Sequence, residues 1–207
     1  EALAAIEKEF IPLAVSKHHA LALASAAQAL AKTLRVQVKI DTGMGRLGFA
    51  WEDASRQLLP LARHGGLEFC GICTHFASSD SPTRTFVKTQ IERFRKALSA
   101  CEAAGLCFPL QHASNSGGIL GGPACDFGGV RPGILLYGYG PRMDLGRLVE
   151  TRPFLHWKTR LVQVKKVPAG FPVSYDSTYV TERETHIGTL GVGYADGYSR
   201  SLSNKGF

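Results

Sequence analysis

The first two-thirds of the chain alternates between short β-strand patterns and helical patterns. The clearest strand is LRVQVKID at 34–41, where every second residue is apolar, and other strand patterns cover 11–16, 67–75, 108–114 and 130–138. Helical patterns lie between them, at about 20–32, 52–64 and 83–104. Short strands joined by helical crossovers predict parallel β/α units, so we predict a fold of the α/β class.

The pattern changes near residue 145. The later runs at 154–167, 172–180 and 185–194 are β-like, and Pro/Gly turns separate them without helical patterns in between. We therefore place a boundary near 143–152 and predict parallel β/α units in residues 1–145 and an all-β segment in residues 146–207.

Charge, hydropathy and cysteine content exclude several functions. The net charge is +7, but Lys and Arg are scattered and lack interleaved aromatic residues, so we predict no nucleic-acid partner. No apolar run approaches the roughly 18 residues of a membrane span, so no membrane partner is predicted either. Five irregularly spaced cysteines argue against a disulfide framework and for a reducing, cytoplasmic location. Cys70 and Cys73 form a C-x-x-C without a second pair, so we predict packing and no metal site.

Polar residues gather at the C-terminal ends of successive predicted strands. In β/α barrels the loops after the strands build the active site. Singly, His75 fits a structural histidine, Arg131 an ion-pair partner and Asn115 a helix N-cap. Repetition over four strands favours an active site formed by Lys39, Asp41, Arg46, Thr74, His75, His112, Asn115, Ser116 and Arg131.

The stretch KIDTGMGRLGF at 39–49 contains G-x-G-x-x-G, the spacing of a dinucleotide-binding loop. In that motif the helix opens among the glycines, and an acidic residue ends the following strand. Here the next predicted helix starts several residues after Gly48, and the following strand ends in His75. We therefore interpret the glycines as permitting a tight turn that returns Arg46 over the site, and we reject a phosphate cradle.

Five motifs, in this order, resemble the alanine racemase family: KIDTGMGRLGF, THFASSD, HASNSGG, RPGILLYG and GVGYADGYSR. The resemblance implies a TIM-type (β/α)8 barrel followed by a β-domain, in a homodimer with shared active sites. This chain is expected to hold about strands 4–8 of the barrel and the start of the all-β domain. The resemblance also implies pyridoxal-phosphate (PLP)-dependent racemisation of L- and D-alanine, supplying D-alanine for peptidoglycan.

The resemblance implies a role for each matching polar residue. Tyr194 is similar to the catalytic tyrosine that moves the α-proton on one face of the substrate, and it reaches the partner subunit's site. His75 and Arg131 are the matching catalytic network that stabilises its phenolate. Arg46 matches the group that binds the substrate carboxylate, and Lys39 matches a lysine that is carbamylated in some members.

The same resemblance implies the cofactor contacts. Arg131 is expected to meet the pyridine nitrogen of PLP. Ser116 and the backbone N–H groups of Gly133 and Ile134 are expected to hold the phosphate. Asp176, in VSYDSTY, stands where the family usually has glycine, which affects one local turn.

The family's second base is also the lysine that binds PLP covalently, in a motif like K-A-N-A-Y-G-H-G. Nothing in residues 1–40 matches that motif. Racemisation needs bases on both faces of the substrate, so we predict that these 207 residues alone are inactive.

Other functions remain open at the level of sequence. The first is a racemase for serine or another amino acid, or a PLP-dependent decarboxylase, although GYADG together with KxDTGMxR favours a racemase. The second is a PLP-binding protein without turnover. A nicotinamide dehydrogenase is the third, and the failed context of the glycine motif argues against it.

Overall fold

The computed structural model describes residues 2–122, 125, 127–140 and 149–205. The chain divides into two compact units, Glu1–Phe154 and Leu155–Phe207. The predicted domain boundary between residues 145 and 146 lies outside the described residues, so the exact boundary remains a prediction.

The first unit contains alternating strands and helices, as the sequence pattern predicts. Its strands are β1 (Leu13–Ala14), β2 (Leu34–Asp41), β3 (Phe49–Ala50), β4 (Leu67–Cys73) and β5 (Leu110–His112). Its helices are α1 (Ala2–Glu7), α2 (Lys17–Ala29), α3 (Ala54–His64), α4 (Thr85–Ala103) and α5 (Ser116–Ile119).

The strands form one parallel sheet in the order β1-β2-β4-β5, and β3 pairs in parallel with the C-terminal end of β2. Helix α2 connects β1 to β2, α3 precedes β4, and α4 connects β4 to β5. A parallel bridge between Ser114 and Val130 continues this order beyond β5. Strands that neighbour one another in chain order, with helical crossovers, are the arrangement of consecutive barrel strands, so the predicted parallel β/α architecture is confirmed.

The alternation in β2 separates the core from the polar face of the sheet. Val36, Val38 and Ile40 are fully buried in the main hydrophobic cluster, which also contains Leu58 of α3 and Phe94 of α4. Residues of opposite parity therefore point to the other face of the sheet, where the strand ends carry polar side chains.

The prediction of a strand over 130–138 is wrong for most of its length. Only Val130 forms a bridge, and Ile134–Tyr137 form a short 3-10 helix. Pro132 has no N–H to extend a ladder. The N–H groups of Gly133 and Leu135 instead donate to the Ser116 hydroxyl, which bends the segment towards α5.

The second unit consists of antiparallel β-structure and short 3-10 turns within its described residues. Strand β6 (Leu161–Val167) pairs with β9 (Thr185–Leu190), and β7 (Pro172–Val173) pairs with β8 (Tyr179–Val180). This agrees with the predicted β-like runs, although the first of them begins as a strand only at Leu161. In the described part of the chain, no helix is both long and apolar enough to span a membrane.

The turn between β7 and β8 places Asp176 in the left-handed region, at φ 59° and ψ 4°. Glycine adopts that region without steric cost, and aspartate is among the few other residues that tolerate it. This explains how aspartate occupies a position where the resembled family usually has glycine.

Candidate active site

The C-terminal strand ends of the first unit surround a cavity of about 360 Å³. Six of the nine residues predicted from the polar strand ends lie together on its wall. The lining consists of Ile11, Leu13, Gln37, Lys39, Arg46, Leu47, Cys73, Thr74, His75, His112 and Arg131.

The Arg131 guanidinium connects the ends of two neighbouring strands. Its Nη2 donates to the carbonyl oxygens of Thr74, at 2.7 Å, and Ala113, at 3.0 Å. Its Nη1 donates to Nδ1 of His112. Nη2 also lies 3.5 Å from Nδ1 of His75, and since its two hydrogens serve the carbonyls, that contact is mainly electrostatic.

The contacts of His112 determine its tautomer. Arginine only donates, so Nδ1 of His112 is an acceptor and Nε2 carries the proton. Nε2 then donates to Oε1 of Gln37 at 2.6 Å. Burial, with the nearby charges of Arg131 and Lys39, lowers the pKa of His112 to about 4, in agreement with a neutral ring.

Gln37 and His112 extend the predicted site. The sequence places His112 among the polar strand ends but assigns it no separate role, and it gives no role to Gln37. The alternation of β2 carries the missing signal, because Gln37 lies two residues before Lys39 and therefore on the same face.

His75 is half-buried at the end of β4. Burial lowers its pKa to about 4, and the positive charges of Arg131, Lys39 and Arg46 act in the same direction. The imidazole is therefore neutral at neutral pH, with Nε2 3.4 Å from the side-chain nitrogen of Asn115.

Lys39 projects into the cavity from β2 and is 5% exposed. Among the described residues, its amine has no hydrogen-bond or ion-pair partner. Burial lowers the pKa of Lys39 to about 8; Arg131 and Arg46 lower it as well, while Cys73 and Asp41 oppose the shift. The uncharged fraction of the amine near neutral pH is therefore much larger than for an ordinary lysine, although most of the amine is still protonated.

Asp41 does not neutralise these cations directly, because its carboxylate holds the loop that follows β2. It accepts the N–H of Gly43 at 2.8 Å and that of Gly45 at 3.1 Å. Partial burial raises the pKa of Asp41, but these backbone hydrogen bonds outweigh it and hold the pKa below its usual value. The loop brings the exposed Arg46 to the wall of the cavity.

The glycines of this loop allow close packing of the backbone. Gly48 has φ +125°, and a Cβ there would lie 2.8 Å from the Asp41 nitrogen and 2.9 Å from the Lys39 oxygen. Gly48 leads into β3, and no helix opens among the glycines. The loop is therefore a turn that carries Arg46, as the sequence predicts, and it lacks the helix of a dinucleotide cradle.

Ser116 begins α5 and organises a second polar cluster. Its Oγ accepts the N–H of Gly133 at 2.9 Å and that of Leu135 at 3.3 Å, while Asn115 caps the helix through the N–H of Gly118. Within the described residues, the Ser116 hydroxyl proton and the Ile134 N–H have no acceptor. The structure therefore brings the three predicted phosphate-binding residues together.

Tyr194 lies in the second unit, in the 3-10 turn Tyr194–Asp196, and is 64% exposed. The Asp196 carboxylate accepts the Gly193 N–H at 2.9 Å and closes the turn. The Arg200 guanidinium carbon lies 5.6 Å from the centroid of the tyrosine ring. Tyr194 lines a cavity of about 470 Å³ within that unit, together with Tyr198.

The described residues contain no group of three or more His, Cys, Asp or Glu side chains placed to hold a metal ion. The two cysteines of the C-x-x-C are buried in β4, where the Cys70 thiol donates to the Val36 carbonyl at 3.3 Å.

Two domain models of one family match the chain. The alanine racemase N-terminal domain matches residues 1–141, and the alanine racemase C-terminal domain matches residues 154–207. An alanine racemase of Carboxydothermus hydrogenoformans is 46% identical over 201 residues, which cover 95% of this chain and 54% of that protein.

Solved structures agree with these matches. The alanine racemase of D-cycloserine-producing Streptomyces lavendulae superposes with a TM-score of 0.86 at 35% identity, covering 97% of this chain and 54% of that one. The alanine racemase of Bartonella henselae with covalently bound pyridoxal phosphate superposes with a TM-score of 0.74 at 27% identity, covering 96% of this chain and 53% of that one.

The fold and the site define an α/β protein with part of a TIM-type barrel, followed in the chain by a β-unit. The chain belongs to the alanine racemase family, which is PLP-dependent. It spans about half the length of the relatives that it matches.

Substitution of Gly48 tests the packing of the Arg46 loop. We expect Gly48→Ala to reduce the free energy of unfolding by at least ~1 kcal/mol more than Gly45→Ala, because its Cβ meets backbone atoms. Gly45 is the matched control, since it has φ +69° with no atom within 4 Å of an added Cβ, so it carries only the left-handed strain of about 1–2 kcal/mol. Urea unfolding of both variants measures the difference, and equal losses would contradict the described approach of Gly48 to β2.

The two neutral histidines predict a pH-dependent stability. The pKa values of His75 and His112 are about 4 when folded and 6.5 ordinarily, so the unfolded chain binds more protons between these values. Stability should therefore fall as the pH drops from about 6.5 to about 4. We expect His112→Gln to flatten this dependence by up to about one proton in urea unfolding. A slope that His112→Gln does not alter would show that His112 is not buried as a neutral ring.

Proposed function

We propose that the protein carrying this chain is a PLP-dependent racemase that interconverts L- and D-alanine by a two-base mechanism and supplies D-alanine for peptidoglycan. The main observation behind the proposal is the position of Arg131, which lies between two neutral histidines. Lys39 and Arg46 line the same cavity. The names of the similar proteins support alanine as the substrate over serine or another amino acid.

The residues present fit the cofactor. Within the part of the chain that the structure describes, the Ser116 hydroxyl proton and the Ile134 N–H have no acceptor, and both lie in a cluster beside Gly133, which adds no side chain there. These donors suit phosphate oxygens. Arg131 is the residue that we assign to the pyridine nitrogen, where it stays protonated. When bound, PLP supplies stabilisation of the negative charge that develops at the substrate α-carbon.

Arg46 binds the substrate carboxylate in this proposal. Its guanidinium is exposed on the wall of the cavity and makes no ion pair with a described residue. A guanidinium presents a planar fork of donors that matches a carboxylate. The Asp41–Gly43–Gly45 hydrogen bonds hold the loop that aims it.

Lys39 is the proposed site of carbamylation. Carbon dioxide reacts with an uncharged amine, and burial lowers the pKa of Lys39 to about 8. A new N–C bond forms and the amine releases one proton to water, so the product is an anion, which the positive charges of Arg46 and Arg131 stabilise. The carbamate in turn steadies Arg46, so the modification removes a repulsion and adds an ion pair.

Tyr194 is the proposed base that removes the α-proton of L-alanine, in the site of the partner subunit of a homodimer. A phenol titrates far above neutral pH, so the tyrosine needs help to act as a base. The proposal assigns that help to His75 and Arg131. The fixed charge of Arg131 stabilises the phenolate, and His75, whose Nδ1 lies 3.5 Å from the Arg131 guanidinium, is the proposed link between the two.

Hydrogen exchange at the α-carbon tests the two-base assignment in the full-length protein. L- and D-alanine have equal free energies, so Tyr194→Phe must slow net racemisation equally in both directions. We expect that loss to be about 10²–10⁴-fold. In deuterated water, exchange into L-alanine should be lost, while exchange into D-alanine, which uses the other base, should persist.

Tyr198→Phe is the matched control, because Tyr198 lines the same cavity of the second unit. It should leave both exchange rates near those of the wild type. If Tyr194→Phe lost exchange from both enantiomers equally, or lost none, Tyr194 would not be the base that acts on one face of the substrate.

The 207 residues by themselves are expected to be inactive, because they contain no K-A-N-A-Y-G-H-G motif with its PLP-binding lysine. Adding PLP should give no stable shift of the cofactor absorbance that survives dialysis, and no racemisation of alanine by polarimetry. Turnover by the isolated chain would overturn this expectation, and turnover by the full-length protein is its positive control.

A further inference from the structure

The fully buried side chain of Gln90, on α4, is the centre of a hydrogen-bond network that reaches residues of the candidate active site. Its Nε2 donates to the Thr42 hydroxyl at 3.0 Å and to the His75 carbonyl at 3.0 Å. Its Oε1 accepts the N–H of Ala77 at 2.9 Å. The Thr42 hydroxyl also bonds to that of Thr74 at 2.7 Å, and Gln90, Thr42 and Thr74 are all 0% exposed.

The partners determine the orientation of the Gln90 amide. The His75 carbonyl requires a donor and the Ala77 N–H requires an acceptor, so a flipped amide would leave both unsatisfied. Both hydrogens of Nε2 and one lone pair of Oε1 are used. The side chain therefore has one arrangement in this environment.

The network binds the backbone and side chains of the segments that follow β2 and β4, and these segments carry site residues. β4 ends at Cys73, so the backbone around His75 lies beyond the sheet ladder and needs other partners. Arg131 binds the Thr74 carbonyl before His75, and Gln90 binds the His75 carbonyl and the Ala77 N–H after it. The backbone that carries His75 is thus held on both sides.

The same amide reaches the loop of Arg46. Thr42 is the first residue after β2, and its carbonyl accepts a hydrogen bond from Arg93, also on α4, at 2.9 Å. Gln90 therefore connects the start of the loop that bears Arg46 to the segment that bears His75. Gln90 itself is not among the lining residues of the cavity, so it acts on the site through these partners.

We infer that Gln90 is a positioning residue for the racemisation chemistry, and this inference rests on the proposed function. Gln90 holds the His75 ring in the position from which that ring supports Tyr194. Through Thr42, Gln90 also fixes the position of the Arg46 loop relative to His75. Its loss should weaken proton transfer on the tyrosine face more than on the lysine face.

The experiment uses the full-length racemase with Gln90→Met and Gln90→Glu. Gln90→Met removes both donors and the acceptor at similar size. Gln90→Glu keeps an acceptor for Ala77 and loses the paired donors to Thr42 and His75. Phe94→Leu is the matched control, since Phe94 is equally buried on α4 and contacts the hydrophobic core.

In deuterated water, we expect both Gln90 variants to lower α-hydrogen exchange from L-alanine by about tenfold or more relative to exchange from D-alanine. Bound PLP, measured by its absorbance, should remain near the wild-type level. Phe94→Leu should change both exchange rates by the same factor, because its effect acts through stability.

An unchanged ratio of the two exchange rates in the Gln90 variants would overturn the inference. Failure of both variants to fold would also overturn it, because Gln90 would then contribute to stability alone. Tyr194→Phe, measured in the same assay, distinguishes a failure of the Gln90 inference from a failure of the proposed function. If Tyr194→Phe loses exchange from L-alanine and the Gln90 variants keep the wild-type ratio, only the role of Gln90 fails.

Discussion

The Arg131 guanidinium is the interaction on which the site depends. One side chain satisfies the carbonyls of Thr74 and Ala113 and bonds to His112, so it ties the ends of β4 and β5 to the segment that follows. A permanent cation in that position also determines the state of its neighbours. With burial, it keeps both His75 and His112 neutral and helps to lower the pKa of Lys39.

A cavity lined by Lys39, Arg46 and Arg131 has an excess of positive charge, because the Asp41 carboxylate is committed to the N–H groups of its own loop. Such a cavity favours anions, and the proposed function supplies them as a substrate carboxylate and a lysine carbamate. The two histidines are neutral for the same reason, because protonation of either ring would add to the repulsion among the cations of the cavity. The electrostatics of the site and the proposed chemistry therefore support each other.

Much of the fold and of the candidate site was predictable from local pattern. The alternation of LRVQVKID placed Lys39 on the polar face of a strand, and the repeated polar strand ends predicted that Lys39, Arg46, His75 and Arg131 would meet. The segment at 130–138 was predicted wrongly, because its apolar residues resemble a strand. Pro132 and the bonds to Ser116 turn it into a 3-10 helix instead.

The sequence by itself determined the order of the strands and helices and the polar ends of the strands, since both follow from periodicities of two and 3.6 residues along the chain. It also determined the family, through motifs that lie within short stretches. Only the tertiary structure decided that Gln37 holds His112 and that Gln90 joins two loops. Those partners lie far apart in sequence, and a glutamine amide carries no local signal of the donor and acceptor that packing will bring to it.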